Sequence, residues 1–163
     1  MADRTVMPTS AATESIGDVT REGGRLSLIE LRAEPAVLAP ARRALAEFVR
    51  QAGVSDDRAQ DVLLACYEAM ANIVEHAYPA GSDGTFDLSA NYDRSGTLTV
   101  TLTDRGMWKS DGPDPASRRG RGLQLVRACA DRSDVVSGET GTRVHLQWHG
   151  ASTSAAPYDE QGG

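Results

Sequence analysis

Residues 61–78 read DVLLACYEAMANIVEHAY, and the prediction of the fold starts from this stretch. Its apolar side chains recur at the three- and four-residue spacing that places them on one face of a helix. These apolar residues are Leu63, Cys66, Met70, Ile73 and Ala77. On the opposite side, Glu68, Asn72 and Glu75 fall within about 40° of one another around the helix axis. The stretch therefore predicts a helix with one apolar face and one stripe of oxygen-bearing side chains.

The polar stripe has two interpretations, solvent exposure and cation binding. Solvent exposure is the favoured interpretation for Glu75. Asn72 fits it less well, because asparagine has modest helix propensity and brings neither charge nor a cap to the middle of a helix. An amide carbonyl one turn from the Glu68 carboxylate suits a hard cation that keeps most of its waters, as Mg²⁺ does beside a nucleotide. The stripe alone leaves both interpretations open.

The composition narrows the class of protein. The chain has 163 residues and a formal net charge of −6, which predicts one domain and argues against nucleic-acid binding, since nucleic-acid binders usually present a net basic surface. Arginines nevertheless cluster at positions 118, 119 and 121, so a local anion site remains open. No window approaches eighteen consecutive apolar residues, and the N-terminus lacks the apolar core of a signal peptide. We therefore expect a soluble cytoplasmic protein that contacts no membrane, with Cys66 and Cys129 as buried free thiols.

Hydrophobic patterning predicts one α+β domain over residues 25–150, between a flexible leader (1–24) and a disordered tail (151–163). Strands are predicted from Arg25, over 85–92 and 97–104, and around 134–137 and 142–148. Helices are predicted over 37–53, from an N-cap at Ser55 through Tyr78, and after Gly122. The irregular segment 107–119 is long enough to be a lid or binding loop. This order predicts a two-layer sandwich with helices on one face of a mixed sheet.

Two glycine-containing motifs follow the helical stretch. Asp104 ends a predicted strand, and Gly106 allows the backbone to turn close to a ligand. Gly120-Arg121-Gly122 precedes a predicted helix, where free backbone N–H groups favour a phosphate. Taken singly, the first motif is most often a turn, and the second lacks the third glycine of the dinucleotide fingerprint.

The order of the three motifs resembles a known family. EAMANIVEHAY is similar to the N-box of the anti-sigma-factor serine kinases of the RsbW and SpoIIAB type, members of the GHKL ATPase superfamily. Asp104-Arg105-Gly106 is similar to the G1 box of that family, Gly120-Arg121-Gly122-Leu123 to its G2 box, and Gly141-Thr142 to its terminal Gly-Thr. The resemblance covers residues 26 to 148 and implies the Bergerat ATP-binding fold.

The resemblance implies a role for each matching residue at the nucleotide. Asn72 would coordinate Mg²⁺ that bridges the ATP phosphates. Asp104 would accept a hydrogen bond from the adenine amino group, Gly106 would give the ring room, and Thr142 would support the adenine end.

At the phosphates, Gly120 and Gly122 would hold ATP through backbone N–H groups, with Leu123 completing the motif and residues 107–119 as a lid. The arginines at positions 118, 119 and 121 either face solvent or contact the phosphates, and Arg121, between the two glycines, is the one expected at the γ-phosphate if any of them reaches it. Glu68 would act as general base on an attacking serine hydroxyl. Phosphoryl transfer needs mainly positioning and charge neutralisation, which such a set would supply.

The implied function is that of a switch enzyme. It would sequester a sigma factor, act as a homodimer, and phosphorylate a serine or threonine of a STAS-fold antagonist. Trp108 stands where the family usually has a second G1-box glycine, and bulky residues avoid the backbone conformations open to glycine. An ATP-binding anti-sigma module that sequesters its partner without efficient transfer is therefore the alternative. The catalytic part of a histidine kinase is a third candidate, although no helical hairpin with a phosphoacceptor histidine precedes the domain.

Overall fold

Three helices and six strands make up the regular structure in the computed structural model, which describes residues 18–107 and 119–152. In chain order they are β1 (Asp18–Glu22), β2 (Arg25–Arg32), α1 (Pro35–Gln51), α2 (Asp56–His76), β3 (Thr85–Tyr92), β4 (Leu98–Asp104), α3 (Arg119–Cys129), β5 (Arg132–Gly138) and β6 (Gly141–Trp148). The helices pack together on one face of the sheet, so the predicted two-layer α+β sandwich is confirmed.

The described strands form one sheet in the order β1-β2-β3-β4-β6-β5, and every neighbouring pair is antiparallel. The prediction of a mixed sheet is therefore wrong. The paired helices α1 and α2 return the chain to the end of the sheet that it left, so β3 runs opposite to β2. The single helix α3 makes a crossover, which leaves β4 and β5 pointing the same way. Because β6 lies between these two strands, no parallel pair forms.

Helix α2 begins where the sequence predicts. Ser55 is its N-cap residue, and Asp56 and Asp57 lie in the first turn, where the helix dipole favours negative charge. Helix α3 differs from prediction because it begins at Arg119, so both Gly120 and Gly122 lie inside its first turn instead of before it.

The edges of the domain also differ from prediction. Residues 18–22, assigned to the flexible leader, form β1 and pair with β2. At the other end, Ala151 is buried, and Ser152 forms a β-bridge with Val54. Backbone hydrogen bonds join Ala151 to Ser55 and to Gly96. Residues 1–17 of the predicted leader and 153–163 of the predicted tail lie outside the described part of the chain.

The core lies between the helices and the sheet. Along β4, burial alternates, so that Leu98, Val100, Leu102 and Asp104 all face the helices. The apolar face of α2 faces the same layer through Cys66, Met70, Ile73 and Ala77, all of them buried, whereas Leu63 is only partly buried. Both cysteines are free, with Cys66 buried and Cys129 half-buried. Within the described ranges, no helix has the length and apolarity needed to cross a membrane.

Candidate functional site

Asp104 is a buried carboxylate at the end of β4. It occupies the next inward-facing position after Leu102 in the alternation of the strand, and the residue is 1% exposed. Its Oδ1 accepts hydrogen bonds from the backbone N–H of Gly106 at 3.0 Å and of Thr142 at 3.2 Å. Backbone donors of this kind stabilise a carboxylate that has been taken out of water. The structure therefore brings together Asp104, Gly106 and Thr142, three of the predicted site residues.

Two glycines allow the backbone to approach closely around this carboxylate. A Cβ atom on Gly106 would lie 2.0 Å from the carbonyl oxygen of Ala77, at the end of α2. A Cβ atom on Gly141, whose φ is +130°, would lie 1.9 Å from the carbonyl oxygen of Asp104. Neither position has room for a side chain. The end of β4 is consequently held between the end of α2 and the start of β6.

Asn72 lies on the side of α2 that faces α3. Its side chain is 8% exposed, and its Nδ2 has no hydrogen-bond partner among the described residues. A Cβ atom on Gly122 would lie 3.1 Å from both amide atoms of Asn72. An unpaired buried amide costs about 1–3 kcal/mol, so it is expected to have a partner in the working molecule. Because Gly122 has no side chain, the first turn of α3 approaches this amide more closely than any other residue would allow.

The predicted polar stripe of α2 is divided by burial. Asn72 is buried, Glu68 is partly buried and Glu75 is exposed. Nε2 of His76 lies 3.5 Å from Oε2 of Glu75. The difference arises because α3 packs against one side of α2 and covers Asn72 more fully than its neighbours. The solvent-exposed interpretation of Glu75 is confirmed, and Glu68 lies one helical turn before Asn72 with part of its surface open to solvent.

Part of the predicted phosphate-binding region cannot be placed. Residues 108–118, with Trp108 and most of the predicted lid, lie outside the described residues, as does the side chain of Arg121. Gly120 and Gly122 belong to the first turn of α3, and Leu123 is partly buried there.

Tyr78 is a contact residue of the site that sequence reasoning missed. Its hydroxyl accepts a hydrogen bond from the backbone N–H of Arg105 at 2.9 Å and donates one to the carbonyl oxygen of Thr85. The sequence signal was its position directly after His76-Ala77, at the end of the quoted stretch. Tyr78 therefore connects the end of α2 to the residue between Asp104 and Gly106.

Asp87 holds the same segment from the sheet side. Its Oδ2 lies 2.8 Å from Nη2 of Arg105, and its Oδ1 accepts the backbone N–H of Glu30 at 2.8 Å. Glu30 has a φ of 57° and lies where the register of β2 shifts against β3. The bulge in β2 thus places an N–H group opposite Asp87, and Asp87 in turn anchors Arg105.

A second feature missed from the sequence is a surface groove between α1 and α2, lined by Arg42, Gln60, Leu63, Leu64 and Tyr67. Leu64 is 43% exposed and Tyr67 is 37% exposed, which is unusual for large apolar side chains on the same face of a helix. Leu64 lies one helical turn before Glu68, and Glu68 itself is not among the residues that line the groove.

The segment from residue 31 to residue 148 matches the family model described as "Histidine kinase-like ATPase domain". The chain belongs to this family. The match covers all the site residues described above except Glu30, and the family resemblance inferred from the motifs is confirmed.

Relatives of this ATPase domain include two proteins named anti-sigma F factor, from Clostridium botulinum strains Eklund 17B / Type B and Alaska E43 / Type E3. Each is 30% identical over 118 residues, which is 66% of this chain and 82% of the relative. The domain is therefore an anti-sigma-factor-like member of an ATPase family.

Solved structures are similar in fold. The crystal structure of the RsbU and RsbW domains of Rv1364c from Mycobacterium tuberculosis matches 78% of this chain with a TM-score of 0.63 and 24% identity. The match covers 32% of that longer chain, so this domain spans about a third of it. The blue-light activated histidine kinase EL346 from Erythrobacter litoralis matches 76% of this chain, and 43% of its own, with a TM-score of 0.53 and 21% identity.

Proposed function

We propose that this domain binds ATP with Mg²⁺, sequesters a sigma factor, and phosphorylates a serine or threonine of a STAS-fold antagonist. The observation that carries the proposal is the buried amide of Asn72, whose Nδ2 has no partner among the described residues and which lies against Gly122 in the first turn of α3. This amide and the buried Asp104 are connected through α2, since the carbonyl of Ala77 packs on Gly106.

The adenine would lie at the Asp104 end. An amino group is a donor, and a buried carboxylate already oriented by the N–H groups of Gly106 and Thr142 is a suitable acceptor for it. The close approach of the backbone at Gly106 and Gly141 fixes the orientation of this carboxylate. A flat ring would therefore meet a rigid hydrogen-bonding edge.

The metal and phosphates would lie at the Asn72 end. An amide oxygen is a hard ligand of the kind that Mg²⁺ accepts alongside water and phosphate oxygens. The unpaired Nδ2 of Asn72 is a donor that suits a phosphate oxygen, and Oδ1 of the same amide would be the ligand of the metal. When bound, Mg²⁺ neutralises phosphate charge; the chain itself supplies the Asn72 amide and the N-terminal turn of α3, whose dipole favours an anion.

Glu68 is assigned the role of base. It precedes Asn72 by four residues, a rise of about 6 Å along a helix, so both side chains project to the same side one turn apart. Partial exposure leaves its carboxylate accessible to a hydroxyl brought by another protein. The carboxylate would hold the hydroxyl by a hydrogen bond and take its proton as the hydroxyl oxygen bonds to the γ-phosphorus. The bond from that phosphorus to the β,γ-bridging oxygen would break, and ADP would leave with its electron pair.

A protein partner is supported by the groove between α1 and α2, whose lining residue Leu64 lies one helical turn before Glu68. Exposed Leu64 and Tyr67 next to Arg42 form the kind of apolar surface with a polar rim that marks protein–protein contact sites. The sigma factor as partner follows from the names of the Clostridium botulinum relatives, and the antagonist and a homodimeric state follow from the family resemblance. A partner involved in transcription also implies cytoplasmic localisation.

The experiment is a phosphate-transfer assay with labelled ATP, Mg²⁺ and an antagonist protein that co-purifies with the domain. We expect Glu68→Gln, which keeps the shape of the side chain and removes the base, to slow transfer by about 10²- to 10⁴-fold while ATP affinity stays within about twofold. Glu75→Gln is the matched control, because it makes the same change two turns further along the helix at an exposed position.

Equal transfer by wild type and Glu68→Gln would contradict the assignment of the base. Tight ATP binding without transfer under any condition would contradict the kinase and favour the alternative function, nucleotide-dependent sequestration of the partner. That alternative is motivated by Trp108 in the G1 box of the sequence.

A further inference from the structure

We infer that Tyr78 is a positioning residue for the nucleotide: its hydroxyl fixes the peptide between Asp104 and Arg105 and thereby sets the affinity of the domain for the adenine end of ATP. The inference rests on the proposed function, because it assigns nucleotide binding to Asp104. It adds a residue that contacts neither the predicted metal ligand nor the predicted base.

The hydroxyl of Tyr78 joins two strands through one oxygen atom. It accepts the N–H of Arg105 at 2.9 Å and donates to the carbonyl oxygen of Thr85 at the start of β3. Because the hydroxyl proton points to the carbonyl oxygen of Thr85, the lone pairs of the hydroxyl oxygen are free to face the N–H of Arg105. Arg105 follows Asp104, the residue at which the pairing of β4 with β3 and β6 ends. Strand pairing in that register therefore supplies no hydrogen-bond acceptor for the N–H of Arg105. The tyrosine supplies that partner.

The aromatic ring of Tyr78 is fixed by packing, independently of the hydrogen bonds of its hydroxyl. A Cβ atom on Gly84 would lie 2.3 Å from two of the ring carbons, so the ring packs directly on the backbone of Gly84. The ring is partly buried against the core. Replacing the hydroxyl alone therefore leaves the packing of the ring intact.

The orientation of the Arg105 N–H determines the geometry of Asp104. A peptide unit is planar, so fixing the N–H of Arg105 also fixes the carbonyl of Asp104. That carbonyl is the group against which Gly141 packs, and the next N–H, from Gly106, is bound to Oδ1 of Asp104 at 3.0 Å. The side chain and main chain of Asp104 are thus adjusted together by the one hydrogen bond that the Tyr78 hydroxyl accepts from the N–H of Arg105.

The side chain of Arg105 adds an independent restraint. Its guanidinium pairs with Asp87 at 2.8 Å on the outer side of the sheet. Arg105 is consequently held by the sheet through its side chain and, through its main chain, by Tyr78 just beyond the end of α2. Because Asn72 and Glu68 lie on the same helix as the residues preceding Tyr78, the tyrosine also fixes the adenine end relative to the metal end.

The test is Tyr78→Phe, which removes only the hydroxyl. We expect dissociation constants to rise by about three- to tenfold, the effect of one lost hydrogen bond, and by the same factor for Mg-ATP, for ADP with Mg²⁺ and for ADP in EDTA. In the transfer assay, KM for ATP should rise by that factor while kcat at saturating ATP stays unchanged. Without nucleotide, the amide hydrogen of Arg105 should exchange faster than in the wild type.

Tyr92→Phe is the matched control. Tyr92 is partly buried against the same core but lies at the other end of β3, where it pairs with Leu98. It should leave all three dissociation constants and the exchange of Arg105 unchanged.

The inference is overturned if Tyr78→Phe binds nucleotides as the wild type does, if its loss is confined to Mg-ATP, or if kcat falls while KM does not change. A wild type that binds no adenine nucleotide would overturn the proposed function, and the inference with it. Binding by the wild type with no difference in Tyr78→Phe overturns the inference alone, so the two failures are distinguishable.

Discussion

Gly122→Ala separates the stability of the domain from its ability to bind Mg-ATP. Gly122 lies in the first turn of α3 and its φ is not positive, so alanine fits the backbone there. Alanine in place of glycine favours a helix by about 0.5–1 kcal/mol. The new methyl would lie 3.1 Å from both amide atoms of Asn72, which requires a shift of a few tenths of an ångström and costs roughly 1 kcal/mol.

The two contributions to folding nearly cancel. We therefore expect the free energy of unfolding to change by less than about 1 kcal/mol, and the melting temperature by less than about 4 °C. Binding is affected differently, because an Mg²⁺ ligand approaches within about 2.1 Å of its metal and a methyl at the same amide leaves no space for it. Mg-ATP affinity should fall at least about tenfold, whereas ADP in EDTA should bind within about twofold of the wild type.

Isothermal titration calorimetry with Mg-ATP and with ADP in EDTA measures both affinities, and urea unfolding measures the stability. Gly138→Ala is the control, since a Cβ atom at that position meets no atom within 4 Å. Equal losses with and without Mg²⁺, or an unchanged affinity for Mg-ATP, would refute the metal site at Asn72. A loss of stability well above 2 kcal/mol would refute the packing argument itself.

Three further outcomes follow from contacts elsewhere in the domain. Gly106→Ala should lower the free energy of unfolding by more than about 2 kcal/mol in urea unfolding, because the new Cβ would lie 2.0 Å from the backbone oxygen of Ala77; a milder loss would show that this close approach is relaxed in solution. The pKa of Asp131 is lowered, chiefly by the N–H of His149, so its stabilisation is present at neutral pH and lost as the pH falls through the folded-state pKa. Because solvent screens this exposed carboxylate, Asp131→Asn should cost less than about 1 kcal/mol at pH 7 and progressively less below about pH 4, and a cost that is constant with pH would contradict this. Burial raises the pKa of the Cys66 thiol, so a thiol reagent at pH 8 should label Cys66 at the rate of unfolding, and immediate labelling in the native state would show the thiol to be accessible.

Local signals in the sequence predicted most elements because those elements depend on local chemistry. The apolar spacing of α2 and its N-cap at Ser55 are properties of neighbouring residues, and both are confirmed. The direction of one strand relative to another depends on which strand inserts between them. The insertion of β6 between β4 and β5 has no local signature, and the mixed sheet was for that reason predicted wrongly.

Strand β1 was missed for a related reason. The strand is short, and its residues, DVTRE, are mostly polar. They adopt an extended conformation only because β2 provides hydrogen-bond partners from Asp18 to Glu22. Pattern reasoning has little to detect in such an edge strand. It therefore reads as part of a flexible leader.

At the candidate site, sequence reasoning could name the residue types but not which side chains are buried or which distant residues they contact. Helical angles place Glu68, Asn72 and Glu75 on one stripe, but only the packing of α3 determines that Asn72 is the buried one. Tyr78 was missed because its two hydrogen-bond partners, Thr85 and Arg105, lie 7 and 27 positions further along the chain. Contacts of that length depend on the assembled fold, not on the local pattern.

The hydrogen bonds that join Ala151 to Ser55 and Gly96 have a practical consequence for protein engineering. Gly96 is in the hairpin at one end of β4, and Asp104 is at the other end, about 20 Å away along a strand of this length. A truncation that removes Ala151 would remove the hydrogen bonds that hold the α1–α2 connection at Ser55 and would uncover the core against which Ala151 packs. A fluorophore or affinity tag attached beyond Ser152 would instead start at the end of the sheet remote from Asp104, which makes that position the safer attachment point for binding measurements.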